Sequence, residues 1–153
     1  MDLSKLKWAV IILIVVGGGW LATEGGVNWA FSRATSGTPG ESESADKINE
    51  ATLTRYGGFL LATFRYEKAK KFYTAALNRY PNGANRYWNR YQLARCENRL
   101  ENYQSEADLL YSLYEIDADQ YDERIPGVDE LQLRIQKLVE VHQLPDPFDV
   151  RNQ

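Results

Sequence analysis

The chain has 153 residues, a net charge of −3 and charged side chains at a quarter of its positions. That is room for one modest domain with appendages, and the charge is too mild to point to a nucleic-acid partner. One cysteine, Cys96, excludes an internal disulfide, and the single histidine, His142, argues against a histidine-based zinc or catalytic centre.

The N-terminal stretch Trp8–Ala22 is an unbroken run of apolar and glycine residues, with sixteen positions between Lys7 and Glu24. As a helix those sixteen span about 24 Å, against roughly 30 Å for a bilayer core. Lys5 and Lys7 can snorkel, and Trp8, Trp20 and Trp29 suit the interfaces. The expectation is one transmembrane helix over about residues 7–23. A cleaved secretory signal would use the same lysines and apolar run. However, Trp20-Leu21-Ala22 has a bulky residue where an A-x-A site needs a small one. The lysines place the N-terminus inside and the rest of the chain at the outer face of a cytoplasmic membrane. Gly18, Ala22 and Gly26 recur every four residues, a small-residue face on which membrane helices approach closely.

Residues 32–46 are almost free of apolar side chains and read as a flexible tether, following an anchor segment at 1–31. Fully extended, they reach about 50 Å, so the domain beyond need not lie on the membrane. A helix is expected over about Lys47–Thr63, with Ile48, Leu53, Tyr56, Leu60 and Leu61 on its apolar face. A second runs over about Tyr66–Tyr80, with Ala69, Tyr73, Ala76 and Leu77 inward, and Pro81-Asn82-Gly83 turns the chain. A third covers about Ala84–Arg99 and a fourth about Asn102–Ile116. An acidic loop spans 117–124, and Val128, Leu131, Ile135, Leu138 and Val139 mark a last helix to His142. Leu144-Pro145-Asp146-Pro147 stops that helix, and 143–153 reads as a frayed tail.

The spacing Leu53, Tyr56-Gly57, Leu60, Ala69, Tyr73, Ala76, Pro81 resembles the tetratricopeptide repeat, a hairpin of about 34 residues. The resemblance implies an all-α domain over 47–142: one good repeat, one degenerate repeat and a capping helix, about two and a half repeats in all. It implies that Gly57 is small because the second helix crosses there; Gly58 has no such explanation. In the second repeat Leu93-Ala94 supplies the bulky-then-small pair, and Tyr66 to Tyr103 is 37 residues rather than 34. There Arg90, Glu97 and Glu106 replace apolar or small residues.

Such a repeat implies a binding scaffold rather than a catalyst. Its first helices line a concave groove, which by this register puts Arg55, Trp88, Tyr91, Arg95 and Arg99 near it. Tryptophan, tyrosine and arginine are the residue types enriched in binding hot spots. The expected partner is a protein with an acidic or aromatic segment, held by guanidinium–carboxylate bonds and stacking. The alternative is that Trp88 and Tyr91 are core and the arginines neutralise residues 101–130, where ten acids face one base, Arg124. The Asp117–Glu123 stretch lacks the glycine and closing glutamate of a calcium loop. No phosphate loop, dinucleotide fingerprint or serine-nucleophile motif is present, so no cofactor, metal or enzymatic activity is expected. The sequence is compatible with two roles: a membrane-anchored scaffold that assembles protein partners, or a permanent accessory subunit of a larger membrane complex.

Overall fold

The computed structural model describes residues 7, 8, 11, 19 and 23–149. Among them all regular structure is helical: α1 (Glu24–Thr35), α2 (Glu43–Ala62), α3 (Tyr66–Arg79), α4 (Arg86–Arg99), α5 (Tyr103–Tyr114) and α6 (Val128–His142). A 3₁₀ turn lies at Ala118–Gln120. Each helix packs mainly on its neighbours in sequence, and α2 also touches α4. Contact mainly between neighbours is the stacking of a helical repeat, and the arrangement fits the TPR-like array that the spacing implies. No helix among the described residues is long and apolar enough to cross a membrane. The expected anchor over 7–23, with Gly18 and Ala22, lies almost wholly outside those residues.

Gly57 is buried inside α2. A Cβ placed on it would lie 2.8 Å from Cζ of Tyr73 on α3, closer than carbon atoms approach. Tyr73 is itself fully buried, so its ring has nowhere to withdraw. The crossing expected at Gly57 is therefore present, and it brings Leu53, Leu60, Ala69, Phe72 and Ala76 into one core. In the second hairpin the corresponding pair, 37 residues on, is Ala94 and Leu110, both buried. A leucine is smaller than a tyrosine, so alanine suffices there.

The 37-residue offset also governs the turns. After α2, Thr63, Phe64 and Arg65 donate backbone N–H bonds to Phe59, Leu61 and Leu60; after α4, Leu100, Glu101 and Asn102 do the same to Cys96, Asn98 and Glu97. Both turns put one residue in the left-handed region, Phe64 at φ 61° and Glu101 at φ 62°. This is a Schellman-type stop in which glycine is the usual occupant. A side chain there costs about 1–2 kcal/mol.

Residues 32–46 differ from the expected tether. Residues 32–35 belong to α1 and 43–46 to α2, leaving only 36–42 non-helical between them. Thr23 caps α1, its Oγ1 accepting from Gly26 N–H at 3.3 Å. Gly26, expected on a membrane-helix face, is buried in the first turn of α1, as are Val27, Ala30 and Ala34 along it. Phe31 sets its ring edge-on to Phe72 at 5.1 Å. Lys68 at the start of α3 pairs with Glu24, and Arg79 at its end donates to the Gly37 carbonyl. Thus α1 runs alongside α3 in the same direction and covers the end of the array. Its polar residues 24, 28, 32 and 33 hid this from composition, because the buried positions are mostly small. At the other end the described part of the tail, residues 143–149, is docked: Phe148 meets Tyr111 and Tyr114 edge-on at 5.3 and 5.2 Å.

Glycines 57 and 58 should separate cleanly. Gly57→Ala is expected to destabilise by about 1–3 kcal/mol through overpacking. Gly58→Ala, whose Cβ would find its nearest neighbour at 3.7 Å, is expected to stabilise by about 0.5–1 kcal/mol. Urea midpoints of the two variants measure this; equal stability would mean that the crossing does not depend on the missing side chain.

Candidate functional site

Three buried glutamates decide which charges remain available at the surface. Glu50 on α2 accepts from the N–H groups of Ala84 and Asn85, at 3.1 and 2.7 Å, where α4 begins. A carboxylate there satisfies orphan donors and faces the positive end of the helix. A side chain on Gly83 would overlap that carboxylate. Glu97 on α4 pairs with Lys70 of α3 at 2.9 Å and accepts from Asn102 Nδ2 at 2.8 Å. Glu106 on α5 is fully buried; it pairs with Arg134 of α6 and accepts from Asn98 Nδ2 at 2.7 Å. Glu97 and Glu106, which break the repeat pattern in sequence, are thus polar links between successive helices.

At about 100° per residue, Trp88, Gln92, Arg95 and Arg99 fall on one face of α4, with Tyr91 and Asn98 at its margin. The C-terminal half of that face closes a concavity of about 220 Å³ lined by Leu61, Arg95, Asn98, Arg99 and Arg134. Those residues come from α2, α4 and α6, the first helices of successive hairpins and the cap. Arg95 donates to the neutral Gln92 Oε1 at 3.0 Å. Among the described residues neither Arg95 nor Arg99 has a carboxylate partner. Arg134 has its charge balanced by Glu106. The remaining arginines of α4 are engaged in the fold: Arg86 donates to Gly83 O and Tyr87 Oη, and Arg90 reaches Ser112 Oγ at 3.4 Å.

The five residues expected to form a partner site are therefore divided. Arg95 and Arg99 lie together in the concavity. Trp88 and Tyr91, with rings 5.9 Å apart, are half-buried and pack on the second core cluster of α5, α6 and Ile125. Arg124 covers the Trp88 ring at 5.0 Å. It is fixed there by Asp122 at 2.7 and 2.8 Å and by Asn85 Oδ1 at 3.2 Å. The Arg124 guanidinium holds the Asp122 carboxyl below the usual carboxylate range. This contribution to stability is present above the ordinary aspartate pKa and is lost as pH falls through the lowered one. Arg55 is exposed on α2 and, six residues from Leu61, points about 120° around the helix from it. Sequence reading missed Leu61, Asn98 and Arg134 as site residues. Helical spacing from Arg95 would have found Asn98, but only tertiary packing brings Leu61 and Arg134 alongside.

A larger cleft of about 440 Å³ lies where residues 39–47 meet the 79–84 turn. Its buried carboxylate, Glu50, is already satisfied by backbone amides, so its chemistry is that of a helix cap. Among the described residues no three His, Cys, Asp or Glu side chains are grouped to hold a metal. Comparison with protein-family models, curated proteins and solved structures returns no match. Fold and site together define an all-helical hairpin array with a small cationic concavity on its first-helix side.

Cys96 lies fully buried behind this face, and burial pushes its thiol up to about 12. Iodoacetamide at about pH 8 is expected to leave the native thiol unmodified, since the thiolate is the nucleophile, and to modify it in denaturant. Mass spectrometry of the two samples distinguishes this from an accessible, reactive cysteine.

Proposed function

We propose that this protein is a membrane-anchored helical-repeat scaffold that holds an acidic segment of a protein partner, at the outer face of the cytoplasmic membrane. The observation that carries the reading is the concavity where Arg95 and Arg99, without carboxylate partners, stand beside Arg134 and the Asn98 amide. Guanidinium groups match carboxylates by paired, charge-assisted hydrogen bonds. Three of them from two helices present more positive charge than Glu106 alone balances. The lining is too polar and too small to enclose a drug-sized apolar ligand, but it accommodates one or two carboxylates of an extended chain crossing the face. Leu61 supplies the apolar contact at the edge. The apolar run at 8–22 supports anchoring through its unbroken apolar character and its flanking lysines.

Trp88 and Tyr91 enter this reading as supports. They fix the N-terminal half of α4 against α5 and α6, and so hold the spacing between Arg95, Arg99 and Arg134.

The test is binding of a glutamate- and aspartate-rich peptide, measured by fluorescence anisotropy at two salt concentrations. Each guanidinium–carboxylate contact contributes about 1.5 kcal/mol or more. Replacing both Arg95 and Arg99 by alanine should therefore weaken binding roughly a hundredfold, with helicity unchanged. Trp88→Ala should lower the unfolding midpoint before it alters affinity. Peptide binding that survives the double arginine replacement would place the interface elsewhere.

A further inference from the structure

Phe64 is the least comfortable residue of the fold. It occupies the left-handed turn position between α2 and α3 at φ 61°, where a bulky residue is disfavoured, and it is 78% exposed. Its ring meets Tyr66 edge-on at 6.3 Å, but neither conformation nor burial accounts for an aromatic side chain there. The matching position after α4 carries Glu101, and the left-handed residue after α6 is Gln143; both are polar. Strain held at an exposed site points to a function for the side chain.

The position of that turn relative to the anchor supplies the function. The apolar run ends at Ala22, and Thr23 already caps α1. Glu24 pairs with Lys68 in the first turn of α3, three residues past Arg65, whose charge also acts on Glu24. Lys71, exposed one turn further on, lies over the Phe31 ring at 4.1 Å. The end of α1 that joins the apolar run and the turn that carries Phe64 are therefore the same end of the domain. In sequence only Thr23 lies between the apolar run and the first residue of α1.

We infer that the Phe64 turn, flanked by Arg65 and Lys71, is a membrane-contact surface that seats the domain on the phospholipid headgroups around its own anchor. This rests on the anchor reading above. An aromatic ring favours the interfacial layer, and long cationic side chains reach lipid phosphates while their stems stay in less polar surroundings. Two attachments, the span and this turn, would fix the orientation of the array. The opposite end of α3, at the 81–83 turn, then faces away from the bilayer.

The full chain, reconstituted into phosphatidylcholine–phosphatidylglycerol vesicles, provides the test. Nitroxide labels are placed at Glu67→Cys, beside Phe64, or at Asn82→Cys, at the far end of α3; buried Cys96 stays unlabelled. Collision with a water-soluble nickel chelate is expected to be suppressed at position 67 and full at position 82. Phe64→Gly relieves the turn, so it should keep or raise the unfolding midpoint while abolishing the protection at 67. Equal accessibility at 67 and 82, or protection that survives Phe64→Gly, would overturn the contact surface. Release of the chain from the vesicles by alkaline carbonate would instead overturn the anchor reading on which it rests.

Discussion

The stack depends on how closely α2 and α3 can approach. Tyr73 fills the space that a side chain on Gly57 would need, and the hairpin core collapses around that contact. Because Tyr73 is fully buried, the approach cannot be adjusted by swinging the ring aside. The second hairpin solves the same problem with a smaller ridge and a larger hollow, Leu110 and Ala94. The two solutions are not interchangeable: placing alanine at 57 without shortening Tyr73 would force the helices apart. Close approach also carries Phe72 to the face that α1 covers, so the N-terminal cap depends on it too.

Polar burial then sets the order of the stack. Hydrophobic contact between helices is permissive about which face meets which. A buried carboxylate is not, since leaving one unpaired costs several kcal/mol. Glu50 fixes the start of α4, Glu97 ties α4 to α3, and Glu106 ties α5 to α6. These links consume Lys70 and most of the charge of Arg134, but they do not reach Arg95 and Arg99. The cationic concavity is what remains once the interior carboxylates have been satisfied, and its arginines stand on helices rather than loops, so their spacing is held by the core behind them.

Helix α1 changes what the N-terminal segment means mechanically. A tether of fifteen residues would let the domain sample a wide volume relative to the N-terminal apolar run. A capped helix that begins one residue after the apolar run, with Phe31, Val27, Ala30 and Ala34 in the core, removes that freedom. It also closes the exposed end of the array, as the terminal elements of repeat proteins must, while α6 and the docked Phe148 close the other. With both ends covered, the short array no longer lacks partners for its outer faces.

Much of this could be read from the residues alone. The all-helical class, five of the six helices and the crossing at Gly57 follow from apolar periodicity and one small residue at a repeat-like spacing. The 37-residue offset follows from Tyr66 and Tyr103, and the turn hydrogen bonds repeat it. These features are local: helix period and turn chemistry act within one hairpin. What the sequence did not disclose depended on distant segments. α1 hides its packing face in one glycine, one valine and two alanines, a short and mostly small stripe that gives little hydrophobic signal until Phe72 lies opposite. Arg95 and Arg99 were visible as charges, but Leu61 and Arg134 join them only because α2, α4 and α6 stack side by side. Arg55 shares a helix with Leu61 and faces away. Sequence determined which segments are helices and which residues must be small; tertiary structure decided which charges are neutralised, because that depends on partners the chain brings together from far apart.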